Sequence, residues 1–246
     1  MMQSLIILGA SCNAHDVLDI VEAINLVQPK WHVAGFLDDN FARCDRFLGF
    51  DVLGPIAAVH DFQNHMFINC IGSQSSHRDR SRLMLETGIP ISKYATLVHP
   101  QANVSSRARL GLGVYVSFGC CVGGGAALSD GVSLAPRVVI GHDTKIGCGT
   151  IIAPGVIVSG FAHIGANCYL GAACSVKQYI RVGDNALVGM GAVVTRHVQD
   201  GEIVVGNPAR TFQRNVVGEP EIVSSTTTLN SNVSIPIPTM TEGVRQ

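Results

Sequence analysis

From Val98 to Val194 every sixth residue is valine, leucine or isoleucine, seventeen times in succession. The run includes Val116, Leu128, Ile140, Ile152, Ile164, Leu170 and Val182. Four residues beyond each aliphatic the side chain is small or β-branched, as at Ala102, Cys120, Val132, Thr144, Ala162 and Cys174. The position directly after the aliphatic is usually glycine, serine or alanine, as at Gly123, Ala135, Gly141 and Gly171. A helix repeats its apolar face about every 3.6 residues and a strand about every 2, so neither yields strict sixes. Hexads suit short strands joined by tight corners, three hexads closing one triangular coil. The aliphatic fills the interior and the small residue lets the corner close. Seventeen hexads make between five and six coils, a prism of about 27 Å at about 4.8 Å per coil.

Composition agrees with such a prism. Of 246 residues, 47% are hydrophobic, only 14% are charged and 27 are glycine, a balance that favours small side chains and backbone ladders. The formal net charge of −1 supplies no overall field for nucleic acid or an anionic membrane. No run of about 18 apolar residues is present, and no secretory leader is expected at the start. The eight cysteines include no C-x-x-C pair, so reduced thiols and a cytoplasmic setting are expected. Cys120, Cys168 and Cys174 fall in the small-residue slot and read as buried hydrophobes.

Residues 4–92 follow a different rule. Leu5-Ile6-Ile7-Leu8 is an apolar strand running into Gly9-Ala10-Ser11. A helical face of Val17, Leu18, Val21, Ile24 and Val27 follows. A second strand, Val33 to Leu37, ends on Asp38-Asp39; a later one, Phe67 to Gly72, leads into a helix carrying Arg78, Arg80 and Arg82. This alternation predicts a small parallel βαβ sheet, whose ligands gather at the carboxyl ends of its strands. Gly9 to Asn13, Asp38, Asp39 and Gly72 to Ser75 all fall there. Ser11 and Ala14 stand where a dinucleotide fingerprint wants its second and third glycines, so NAD is not expected. The acidic pair is placed to accept hydrogen bonds from a ribose or a sugar; a solvated turn is its plainer reading.

The pattern [LIV]-[GAS]-x-x-[STAVC]-x over about residues 97–210 resembles the hexapeptide-repeat acyltransferases, whose fold is a left-handed parallel β-helix. The γ-class carbonic anhydrases share that prism but need three zinc-binding histidines, two of them five residues apart in the prism. Here the only such pair, His60 and His65, precedes the repeat, and no metal is expected. The whole succession, a glycine turn, Gly-Phe-Leu-Asp-Asp, a strand ending in Ile-Gly and then the prism, is similar to the nucleotide-sugar acetyltransferases over about residues 4–210. That family includes enzymes acetylating UDP-linked 4-amino sugars, GDP-perosamine N-acetyltransferases and sialic-acid O-acetyltransferase relatives. The resemblance implies a Rossmann-like nucleotide-sugar-binding domain over 1–93 and an acyltransferase β-helix over 97–210. Residues 211–246 are polar and aperiodic and are expected to be a mobile tail.

It also implies the site. Ser11, Cys12, Asn13, Asp38, Asp39, Gly72 and Ser75 match the positions that hold the nucleotide sugar, although the family's Gly-Ala-Ser/Gly-Gly-His-Gly turn reads Gly9-Ala10-Ser11-Cys12-Asn13-Ala14 here. His142, followed by Asp143, matches the general base. The repeat places the inward positions at 140 and 144, so His142 lies on the outside of the prism. An imidazole suits removal of a proton from an attacking amine or hydroxyl near neutrality, and the adjacent carboxylate favours the imidazolium that forms. Gly160, one coil beyond, matches the amide that receives the oxyanion. Ile151, Ala172 and Met190 match acetyl-CoA contacts, the first commonly a histidine in the family. Gly206-Asn207-Pro208-Ala209-Arg210 resembles the closure of the CoA groove. The expected enzyme is an acetyl-CoA-dependent N-acetyltransferase of a nucleotide-linked amino sugar in surface-glycan synthesis, acting as a homotrimer with sites between adjacent prisms. Sugar O-acetylation and a non-catalytic nucleotide-sugar-binding scaffold are the alternatives.

Overall fold

The computed structural model describes residues 2–42 and 45–212, so all but the first two residues of the tail expected at 211–246 lie outside the described residues. The chain opens with β1 (Gln3–Leu8), α1 (Asn13–Val27) and β2 (Trp31–Leu37), followed by β3 (Arg46–Phe47), β4 (Phe50–Gly54), β5 (Met66–Asn69) and α2 (Arg80–Glu86). The sheet order is β3-β4-β2-β1-β5; all neighbours are parallel except the β3–β4 hairpin. The uninterrupted apolar run of β1 reflects its central place. Leu5 and Ile7 pack toward α1, and Ile6 and Leu8 pack toward Val59, Met84 and Tyr94. On α1, Val17, Leu18 and Val21 are buried, whereas Val27 is exposed because the stripe outlasts the sheet it covers. Sequence periodicity does not reveal β3 and β4, whose two and five residues are too short to carry a period.

Seventeen two-residue strands follow, from Leu97–Val98 to Val193–Val194, each ending on the aliphatic of its hexad. Strands one coil apart pair in parallel, as in Val122↔Ile140 and Ile140↔Val158, and so build three sheets. The aliphatics and the small-slot residues together form one continuous interior. Cys120, Cys168 and Cys174 belong to it, and burial pushes their thiols up to about 11, about 11 and about 12.

Two backbone requirements explain the hexad. From Gly113 to Gly191, the residue just before each small slot has a positive φ, including Asp143, Phe161, Asn167, Tyr179 and Asn185. A left-handed conformation costs an L-residue about 1–2 kcal/mol, which glycine and, in part, asparagine and aspartate avoid. Directly after the aliphatic, a β-carbon at Gly141 would run into the backbone of Gly160 in the next coil. Small residues there let coils stack at ladder distance.

The outward residues give the three faces different characters. One face, with Leu97, Tyr115, Ser133 and Ile151 outward, is buried; Leu97 and Tyr115 share a core with α1. Arg80 helps tie the layers together, donating from Nη1 to the Ile71 carbonyl (2.9 Å) and from Nη2 to those of Asn69 (3.2 Å) and Gly131 (3.3 Å). It is fully buried, and burial lowers its pKa. A second face carries Asn103, Cys121, Val139, Ile157, Ser175 and Val193, with Val139 and Ile157 exposed. The third carries Arg109, Ala127, Lys145, His163 and Arg181. Among the described residues no helix is long and apolar enough to cross a membrane.

Candidate active site

His142 stands at the corner between the apolar and the basic face. Its Nδ1 lies 3.0 Å from the Asp143 carboxylate, and the two side chains are half exposed. A carboxylate can only accept, so Nδ1 carries the hydrogen, and in the neutral imidazole Nε2, without a protein partner among the described residues, keeps the lone pair. The positive φ of Asp143 belongs to the corner, so the repeat itself places the acid beside the imidazole. One coil on, Gly160 lies against the ring: a β-carbon there would be 2.8 Å from His142 Nε2. The Gly160 carbonyl accepts from Tyr179 N–H, and its own N–H meets no protein acceptor among the described residues. Phe161 meets the imidazole edge to face, with ring centroids 4.9 Å apart, and stacks on Tyr179 at 5.0 Å. The corner thus combines an oriented base, an unused amide and an aromatic wall.

A cavity of about 360 Å³ opens where the strand ends of the sheet meet the covered face of the prism. Ser11, Cys12, Asn13 and Gly72 line it, together with Asp16, Ser73, Tyr115, Ser133, Ala153 and Tyr169. Asn13 braces one wall, its Nδ2 donating to the carbonyls of Cys70 (2.9 Å) and Gly72 (2.8 Å). Gly72 has φ +137°, and a β-carbon there would press on Ile151 and Arg80, so glycine lets the loop reach the prism. The start of α1 also faces the cavity, a position where free N–H groups favour an anion. Ser75 is a step outside, its hydroxyl 2.9 Å from that of Ser73.

Asp38 and Asp39 do not line this cavity. Asp38 is buried and accepts from the N–H groups of Ala10 (2.7 Å) and Asn40 (2.7 Å), while Asp39 accepts from that of Ile56 (2.8 Å). They fix the glycine turn and the following loop, with Asp38 buried rather than solvated. Ile151 lines the cavity and is separate from Ala172 and the exposed Met190, which sit at the corner between the covered and apolar faces. His142 and Gly160 occupy the opposite edge of the apolar face. The Gly206–Arg210 segment folds over the end of the prism, with Gly206 O accepting from Val193 N–H and Ala209 N–H donating to Val193 O.

Sequence reasoning did not single out Asp16, Tyr115, Ser133 or Tyr169. The last three recur at eighteen-residue spacing, the coil period, with Ile151 between Ser133 and Tyr169. That spacing was available as a signal. Burial chiefly, then Asp19, raises the pKa of Asp16, with His15 opposing. Among the described residues no cluster of three or more His, Cys, Asp or Glu could hold a metal ion.

A family model described as the hexapeptide repeat of succinyl-transferase matches residues 162–196. A search of curated protein sequences gave no match. Among solved structures, the acetyltransferase domain of PglB from Neisseria gonorrhoeae FA1090 matches with TM-score 0.74 at 26% identity, over 85% of this chain and 100% of that one. PerB from Caulobacter crescentus, solved with CoA and GDP-perosamine, matches with TM-score 0.74 at 24% identity, over 87% and 99%. WeeI from Acinetobacter baumannii AYE matches with TM-score 0.63 at 23% identity, over 86% and 100%. The chain has the left-handed parallel β-helix of hexapeptide repeats, and it is an acyltransferase. Its likeness is to the acetyltransferase domain of PglB, over the whole of that domain.

Proposed function

We propose that this protein transfers the acetyl group of acetyl-CoA to the amino group of a nucleotide-linked sugar, for surface-glycan synthesis. The observation that carries the proposal is the His142 corner, with Nδ1 engaged by Asp143, Nε2 open and Gly160 N–H unused beside it. In the reaction, the sugar amine attacks the thioester carbonyl as Nε2 takes its proton, and the Gly160 amide receives the negative oxygen. Collapse of the tetrahedral intermediate expels the CoA thiolate, which takes the proton from the imidazolium. The products are the N-acetyl sugar and CoA thiol.

Ser11, Cys12, Asn13, Gly72 and Ser75 serve the nucleotide sugar, and Asp38 and Asp39 serve it by fixing the turn. Ala172 and Met190 serve the donor. Because Ala172 and Met190 lie across the apolar face from His142, one prism cannot close both sides of a reaction cleft. A homotrimer, in which the His142 edge of one subunit meets the Ala172–Met190 edge of the next, assembles it. The exposed Phe118, Val139, Ile157 and Met190 support this, since they occupy that face and its edge.

The direct test incubates the purified protein with acetyl-CoA and UDP- or GDP-linked amino sugars and follows thiol release. Release that requires the sugar's amino group is expected. Equal release with the corresponding hydroxyl sugars would move the assignment to O-acetylation, and binding without release would leave only a nucleotide-sugar scaffold.

A further inference from the structure

The acetyl transfer described above leaves the basic face of the prism without a role. Arg109 pairs with Ala127, Ala127 with Lys145, Lys145 with His163 and His163 with Arg181, so four basic side chains rise along one sheet, all exposed. Lys145, His163 and Arg181 occupy consecutive coils, at about 4.8 Å per step. None of the four forms an ion pair among the described residues, where the pairs are those of Arg46, Arg82 and His142, although Asp184 lines the same face. Asp130 and Asp184, at the next corner, turn Oδ1 to the N–H groups of Leu112 (2.7 Å) and Ala166 (2.8 Å). Between the cations runs a groove of about 390 Å³, floored in part by Ser129, Gly147 and Gly165. It begins three residues beyond His142, at the edge of the reactive corner.

We propose that this strip, through Lys145 and Arg181 above all, binds the phosphate groups of a substrate of the transfer reaction. Resting on the proposed acetyl transfer, the inference has two sources of that chemistry, the nucleotide end of the donor and the diphosphate of the acceptor. Arginine offers a planar fork to phosphate oxygens and lysine a point charge. A ligand with several phosphate oxygens neutralises neighbouring cations that the protein leaves unopposed. The overall charge of −1 makes this a local property of one face.

Calorimetric titration of the full chain with 3′,5′-ADP, UDP and GDP tests it, comparing wild type with Lys145→Gln, Arg181→Gln and the double variant. The double variant is expected to bind at least one of these nucleotides about tenfold more weakly, and the difference should shrink as salt rises. Arg46→Gln, which removes an exposed arginine elsewhere, should bind like wild type. Loss confined to 3′,5′-ADP assigns the strip to the donor, and loss confined to UDP or GDP assigns it to the acceptor. Unchanged affinity of the double variant for all three, or no binding by wild type, overturns the proposal. Weakened nucleotide binding alongside a failure to acetylate any nucleotide amino sugar would keep the strip and reject the assigned reaction.

Discussion

At the residue scale, the outcome depends on which nitrogen of His142 is free. If Nε2 is the base, His142→Ala lowers kcat by about 10²- to 10⁴-fold and leaves the KM for acetyl-CoA nearly unchanged, because a base acts in the transition state. Asp143→Asn is expected to cost less, since it removes the partner that holds Nδ1–H and leaves the ring in place. Steady-state kinetics on soluble variants decide both, and wild-type turnover in His142→Ala would remove the mechanism. Gly160→Ala probes the same geometry from the other side. Its methyl group would sit against the imidazole, so kcat should fall while circular dichroism stays native. Asp16 reports on the cavity through stability. Its pKa is raised in the fold, so the native state holds that proton more tightly than the unfolded chain does. The resulting stability penalty is absent below the unfolded value near 3.8 and grows as pH rises through the folded pKa. Asp16→Asn should therefore raise Tm at pH 7 and match wild type at pH 3; a lower Tm at pH 7 would contradict the burial argument.

At the scale of elements, each corner of the prism is a compromise between stacking and function. Glycine after the aliphatic permits coil contact, and glycine or asparagine before the small slot relieves a positive φ. The corner beside His142 departs from that economy by carrying Phe161 and Tyr179 at positive φ, where they wall the imidazole. The joint between sheet and prism depends on Arg80 at the start of α2, where one guanidinium satisfies carbonyls from both layers. Arg80→Ala leaves those oxygens unpaired around a void, at a cost of about 2–5 kcal/mol. Arg80→Lys should recover only part of that loss, because a single ammonium cannot reproduce the fork. The midpoint of denaturant unfolding measures it, and an unchanged midpoint in Arg80→Ala would show that the joint holds without the guanidinium.

For the whole molecule, the apolar face decides whether a complete site exists. Ile157→Asp places a charge at its centre and should convert a trimer to monomers by light scattering, with loss of acetyl transfer. A wild-type chain that is already monomeric at micromolar concentration would refute the composite site. Complementation adds a finer test. His142→Ala lacks the base, and Ser73→Trp should block the nucleotide-sugar cavity, so each alone is expected to be inactive. Mixed trimers formed by co-refolding should regain part of the activity, because some interfaces then pair an intact base with an intact cavity. Activity no greater than the sum of the parents would place both functions within one chain.

The unbroken six-residue period determined the prism, because coil geometry is local: each hexad needs an inward aliphatic, a small corner and a backbone free to turn. The same phase puts His142 outside and Cys120, Cys168 and Cys174 inside. The βαβ start was equally legible, since β1 is apolar throughout and ends on a glycine. The hairpin of β3 and β4 was not, being too short to carry a period. Nor did the motif around Asp38 reveal its duty, which depends on the Ala10 N–H brought to it from another strand end. The tertiary structure alone decided which face the sheet covers, and so joined Ile151, Tyr115 and Ser133 to Asn13 and Gly72 in one cavity. That choice arises from packing between segments distant in sequence, through contacts such as Leu97 against α1 and Arg80 across the joint. A repeat fixes the shape and phase of a prism, but it carries no record of the surface laid against it.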